Sequence, residues 1–291
     1  MKSITVEQCF SNFSKAFKIS LPSTPALMLA YIVLVLMLFF VFIVLGFVLR
    51  LGFGQYAHSI VQLIGNLLQV VFAIGMMNVA CKHIFYQGKV RWNSAISILD
   101  DWDFFFRALG LAVLWILAYA ALFSVIGLLA LLLIGLGAAL NSYTVSILIG
   151  IILGIPVLGL FLIIGTGTML SHYLLVPYGE NESVFSAFSK GIMASFKNLS
   201  VTVSVFIVFL CVSLVGGLAI LPMFYLISHH ASLVSMILYT ILLVALFITI
   251  GYTFVCFYSQ IGHDIFSNED ADNEDTGNNG YTGYNKYERL N

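Results

Sequence analysis

Residues 108–179 read ALGLAVLWILAYAALFSVIGLLALLLIGLGAALNSYTVSILIGIILGIPVLGLFLIIGTGTMLSHYLLVPYG, 72 positions without one Asp, Glu, Lys or Arg. A bilayer-crossing helix needs about 20 apolar residues at about 1.5 Å each. The run is too long for one crossing and long enough for two, and Asn141-Ser-Tyr-Thr144 is its polar break. Three further uncharged runs cover 19–49, 51–81 and 198–263, and the last divides at Ser228-His-His-Ala231. Six spans are predicted: Pro25–Leu49, Ser59–Cys81, Arg107–Leu140, Val145–Val176, Leu199–Ile227 and Ser232–Ser259. The last four exceed the bilayer thickness and must tilt or protrude, with kinks expected at Pro156 and Pro222. Only 9% of the 291 residues are charged and the mean hydropathy is +1.05, against about 25% charged in a soluble domain. Soluble, secreted, fibrous and nucleic-acid-binding readings are excluded.

The net charge of −1 joins two unlike parts. Residues 1–266 sum to +3, and residues 267–291 to −4. A basic body suits an anionic leaflet, and an acidic, Asn- and Gly-rich tail suits disorder. Eleven of the twelve Lys and Arg residues fall on one side of the six spans, with Arg50 alone on the other. The positive-inside rule then makes both termini cytoplasmic. The first apolar run follows an amphipathic stretch and lacks a small-residue cleavage site, so it reads as a retained helix. The division expected is an interfacial segment at 1–24, a membrane domain at 25–263 and a disordered tail at 264–291.

An amphipathic stretch recurs three times, each before a helical hairpin. Val6, Phe10, Phe13 and Phe17 form a face in the first, Trp92, Ala95, Ile96, Leu99 and Phe106 in the second, and Val184, Phe188, Ile192 and Phe196 in the third. The first and third share Phe10-Ser-Asn-Phe-Ser-Lys15 and Phe185-Ser-Ala-Phe-Ser-Lys190. Aromatic faces opposed by lysines suit helices in the inner headgroup plane or packed on the bundle floor. The fold class expected is all-α: a polytopic membrane protein of six transmembrane helices in three hairpins, each preceded by a cytoplasmic amphipathic helix.

Between the fourth and fifth spans the chain reads Tyr173-Leu-Leu-Val-Pro177-Tyr-Gly-Glu180-Asn-Glu-Ser183-Val-Phe-Ser-Ala187-Phe-Ser-Lys190-Gly191, then Lys197-Asn198. Pro177 stops a helix, Ser183 is placed to cap the next, and Asn198 is placed at the following junction. The segment resembles a pattern in YciC-like bacterial inner-membrane proteins and in the membrane domain attached to some glycerophosphoryl diester phosphodiesterases. Pro177, Ser183, Ala187 and Asn198 match it. Gly191 stands where a second Ser is usual, and Ser186 where an acidic residue often precedes Ala. The resemblance implies a multi-helix fold in the bacterial inner membrane and no activity, and the phosphodiesterase domain is not part of this sequence.

Acid–base chemistry or ion coupling inside a bilayer relies on ionisable side chains there, and the four runs supply no Asp, Glu, Lys or Arg. No metalloprotease, serine-hydrolase or phosphate-loop motif is present. Cys9, Cys81, Cys211 and Cys256 have no pairing or metal spacing. His172 is expected to hydrogen-bond at the interface, His229-His230 to form an outer turn, and His263-Asp264 to end a solvated helix. Gln62, Asn66 and Gln69 fall on one face of the second span, beside Gly65. Amides are costly against hydrocarbon, so the face is expected to serve as interhelical glue or to line a polar groove. Gly150, Gly154, Gly159, Gly165 and Gly167 suit close helix approach, and Tyr281, Tyr284 and Tyr287 are spaced anchors in the tail. The reading is a non-enzymatic inner-membrane protein, organising the envelope or serving a membrane complex. The alternative is a channel or facilitator for a neutral or amphiphilic solute or lipid. No cofactor is expected, and the partners expected are the bilayer, other membrane proteins or a second copy.

Overall fold

The computed structural model describes residues 5–274, apart from 87, 92, 141–142, 178 and 229–231 and some further side chains, including those of 267–274. Trp92, Asn141, His229, His230, Tyr281, Tyr284 and Tyr287 therefore lie outside the described residues. Every regular element within them is helical: α1 Val6–Ser20, α2 Thr24–Phe53, α3 Ala57–Phe85, α4 Trp102–Leu140, α5 Tyr143–Leu175, α6 Val184–Lys197, α7 Leu199–Ser228 and α8 Leu233–Glu274. Five helical stretches are long and apolar enough to cross a membrane: Val6–Phe85, Trp102–Gly135, Gly150–Leu175, Leu199–Pro222 and Leu233–Phe266. The class is all-α and multi-pass. The first stretch, 80 residues, joins α1, α2 and α3 through the 3-10 turns Leu21–Ser23 and Gly54–Tyr56.

Local chemistry explains the boundaries. Thr5 and Gln8 cap α1 reciprocally, the Gln8 N–H donating to Thr5 Oγ1 (3.3 Å) and the Thr5 N–H to Gln8 Oε1 (2.9 Å). Gly54 (φ +53°) ends α2 in the left-handed region, where a side chain is opposed. The chain then doubles back: a Cβ on Gly65 of α3 would lie 3.1 Å from Phe42 of α2. α4 runs beside α5 in the same way, with the Tyr119 hydroxyl 3.1 Å from Thr168 Oγ1. In the pair α7 and α8, Tyr239 donates to the Ala219 carbonyl, and Phe209 packs on Phe254 at 5.7 Å. α5 and α7 continue through Pro156 and Pro222.

The core occupies one half of the molecule. Buried residues end at Leu34 in α2, begin at Val71 in α3, end at Trp115 in α4, begin at Ile163 in α5, end at Val208 in α7 and begin at Thr249 in α8. Ala57, Leu122 and Gly216 are the exceptions among the described residues. That half is the one carrying α1, α6 and nearly all the lysine and arginine. In the other half, side chains such as Phe40 (69% exposed) and Ile134 (70%) face outward.

Several expectations change. The face of α1 that meets the bundle is Cys9, Phe13, Ala16 and Ser20, with Phe13 against Phe254 and Phe257 of α8 at 5.1 and 5.8 Å. Val6 and Phe10 lie outside this seam, because small residues let α1 approach α8 more closely than a row of phenylalanines would. The second amphipathic stretch is not one helix: Ser94–Asp100 is a 3-10 turn, and Asp101 then caps α4 by accepting from the Phe104 N–H at 3.0 Å. α8 continues past residue 264 to Glu274, through residues assigned above to the disordered tail.

The tightest helix contact lies between α5 and α6. A Cβ on Gly191 would stand 2.0 Å from Ser171 Oγ and 2.7 Å from the Gly167 carbonyl oxygen. A Cβ on Gly167 would meet Ser195 Oγ at 3.1 Å. Nothing lies within 4 Å of the same positions on Gly154, Gly159 or Gly165. Of the glycines expected to permit close approach, Gly167 is the one pressed against a neighbouring backbone. Gly191→Ala should therefore destabilise the fold by about 1–3 kcal/mol through overpacking, read by reversible unfolding in mixed micelles. Gly154→Ala should be neutral or stabilising by up to about 1 kcal/mol through helix propensity.

Candidate functional site

The α5–α6 junction is built from the motif residues. α5 ends at Leu175, two residues before Pro177, as the steric restriction ahead of a proline requires. Ser183 occupies the N-cap of α6, its Oγ accepting from the Ser186 N–H at 3.4 Å. Ala187 is fully buried. Asn198 closes α6, its backbone N–H (3.0 Å) and its side-chain amide (2.8 Å) both donating to the Ala194 carbonyl in the last turn.

Arg107, from the first turns of α4, clamps this junction. Nη1 donates to Asn181 Oδ1 at 2.9 Å, and Nη2 to the carbonyls of Leu175 (3.3 Å) and Glu182. One planar fork thus holds the end of α5 and the entry to α6 together. Asn181, at φ +53°, turns the chain between them. Glu182 pairs with Lys190 at 2.5 Å. Burial pushes the Glu182 carboxyl up, but hydrogen bonds from Lys190 and Ser186 and the Lys190 charge outweigh it and hold it below its ordinary value.

A second polar group ties the junction to α8. The Tyr173 hydroxyl lies 3.3 Å from Glu180 Oε1 and 3.4 Å from His263 Nδ1. The phenol donates to the carboxylate and accepts from the imidazole in the tautomer protonated at Nδ1. The Tyr173 ring stacks on Phe266 at 6.3 Å, and the His263 ring packs on Phe85 at 4.7 Å. His263 is thus drawn into the bundle instead of ending a solvated helix, because α8 continues past it. His172 is likewise not interfacial: it is 3% exposed, in the end of α5 enclosed by its neighbours, and its Nε2 has no hydrogen-bond partner among the described residues.

The amide face of α3 lies elsewhere. Gln62, Asn66 and Gln69 are all exposed, in the half of the bundle that lacks a core. The expected burial of these amides against a neighbouring helix is not what this single chain displays. Gly65, one position off, is filled by Phe42 instead.

No family model, no curated protein and no solved structure matches this chain. The site is therefore described by its own chemistry. Arg107, Tyr173 and Glu180 were missed as a group because their partners are 7 to 90 residues away in sequence. The one legible signal was Arg107 itself, a cation at the edge of a 72-residue uncharged run.

Two outcomes follow. Arg107→Ala strands three acceptors and should cost about 1.5–3 kcal/mol. Hydrogen exchange should accelerate in residues 174–183, whereas a distant variant of equal cost would accelerate exchange without that focus. Because the Glu182 carboxyl is held below its ordinary value of 4.5, its pairing with Lys190 stabilises above that pH. This contribution should fade as the pH falls through the lower folded value. Glu182→Gln should flatten that part of the unfolding profile.

Proposed function

We propose that the chain is a non-enzymatic integral protein of a bacterial inner membrane. It crosses six times as three hairpins, with both termini cytoplasmic, and serves envelope organisation or a membrane complex as an accessory subunit. One observation carries this reading: the apolar, outward-facing halves of all six long helices extend beyond a core gathered at the lysine- and arginine-rich end. Lipid or another membrane protein is the environment that covers such a surface without cost. The Val6–Phe85 stretch accounts for two crossings, turning back at Gly54. α1 and α6 then lie on the cytoplasmic side, where Lys18, Lys190 and Lys197 face anionic headgroups. The motif at Pro177, Ser183, Ala187 and Asn198 supports membership among the multi-helix families it resembles.

A facilitator for a neutral or amphiphilic solute or lipid is the second reading. It is favoured by the exposed amides of Gln62, Asn66 and Gln69, which a solute path would use. Replacing all three by Leu should abolish such transport while leaving the amount of folded protein unchanged.

The topology has a direct check. The chain should resist alkaline carbonate extraction from membranes. A cysteine at Gln55 should react with an impermeant thiol reagent from outside, and one at Lys190 only after the membrane is opened. The opposite labelling pattern overturns the orientation. Native mass spectrometry in mild detergent should find one recurring stoichiometric assembly, and a lone monomer throughout removes the accessory-subunit reading.

A further inference from the structure

We infer that the amide face of α3 is a self-association surface, on which a second copy of this chain docks with its own α3 in parallel. The inference rests on the membrane crossing proposed above. α3 spans Ala57–Phe85, so its midpoint is Val71. At about 1.5 Å per residue, Gln69 lies about 3 Å and Asn66 about 7.5 Å from that midpoint, inside a hydrocarbon layer about 30 Å thick. Gln62 lies near its edge. All three are exposed in the single chain, and no hydrogen bond satisfies their side chains among the described residues. An unpaired amide facing hydrocarbon is costly, so the face calls for a polar partner at the same depth.

The same face on a second copy meets that need. A carboxamide carries donors and an acceptor together and is its own complement. Every copy inserts with the same orientation, so a two-fold axis along the membrane normal sets Asn66 against Asn66 and leaves Gln62 and Gln69 in register with their counterparts. The spacing fits such a seam. Gln62, Asn66, Gln69 and Ala73 are separated by four, three and four residues, which is the d, a, d, a pattern of a parallel coiled coil. In that pattern an Asn at an a position fixes register.

The continuation of the stripe shows why the contact is confined to the outer half. Met76, Met77 and Ala80 follow Ala73 on the same face and are buried, and Ser259 of α8 donates to Met77 Sδ at 3.0 Å. Towards the cytoplasmic end α8 occupies the seam. Beyond Ala73 the seam is open, and a second α3 fills it.

Disulfide trapping in native membranes tests the proposal. Asn66→Cys should form a covalent dimer under mild copper-phenanthroline oxidation. Leu128→Cys, on an exposed face of α4 (62%), should stay at the level of the wild-type chain, whose Cys9, Cys81 and Cys256 are buried and whose Cys211 is half-buried. In micelles, Asn66→Leu with Gln69→Leu should weaken association measured by energy transfer by about tenfold, while Asn66→Gln retains it. Trapping at Asn66 no greater than at Leu128, or undiminished association of the double-Leu variant, overturns the proposal. Carbonate extraction of the same membranes separates the two claims. A chain released by carbonate defeats the membrane reading, whereas a retained chain that fails to dimerise defeats only this one.

Discussion

Helices in hydrocarbon gain little from setting leucine against leucine, because the lipid offers the same contact. Association then depends on close backbone approach and on polar groups that have no better partner. This constraint accounts for where the core lies. The Gly191–Gly167 contact, the Cys9, Ala16 and Ser20 seam of α1, the Arg107 fork and the Tyr173 pair all fall in the lysine- and arginine-rich half. The other half is dominated by Leu, Ile, Val, Phe, Ala and Gly, with long stretches that supply few such devices. Burial follows the devices, not the hydropathy.

The α5–α6 junction shows the constraint acting at a single place. Gly191 departs from the pattern that its neighbours resemble, which usually carries Ser there. In this chain Ser171 Oγ and the Gly167 carbonyl oxygen already occupy the space a Cβ would need. Ser171 in turn donates back to Gly167 at 2.7 Å, satisfying its hydroxyl within its own helix. Close approach places Ala187 and Ser195 against α5, and it brings the start of α6 within reach of Arg107. The capping serine, the guanidinium and the glycine therefore act on one geometry. A side chain at 191 would disturb all of it.

Much of the architecture was legible in residues alone. The four uncharged runs and their polar breaks mark the long helices, because a span must satisfy its own backbone and cannot carry charge cheaply. Ser183 and Asn198 could be read as cap and junction residues because capping is local chemistry. What could not be read was which face of each amphipathic stretch meets the bundle. Periodicity favoured phenylalanines, and Phe13 and Phe188 do pack on the core, but the most buried positions are Cys9, Ala16, Ala187 and Gly191, whose merit is their small size. The Trp92–Phe106 stretch misled for a related reason: its apolar spacing is helical, but Asp101 caps α4 inside it. The partnership of Tyr173 with His263, 90 positions apart, has no sequence signal.

The uneven core also bears on what such a protein can do. A bundle held together at one end by glycine contacts and a guanidinium has little need of polar glue at the other. Polar residues at the far end are then not explained by the fold of the single chain. Gln62, Asn66 and Gln69 are the polar row at that end of α3, and their placement outside the packed half removes the intramolecular account of them. Either an identical face or a solute must satisfy them. The four-three-four spacing favours the face: a conduit needs polar groups around a path, whereas a seam needs them along a line.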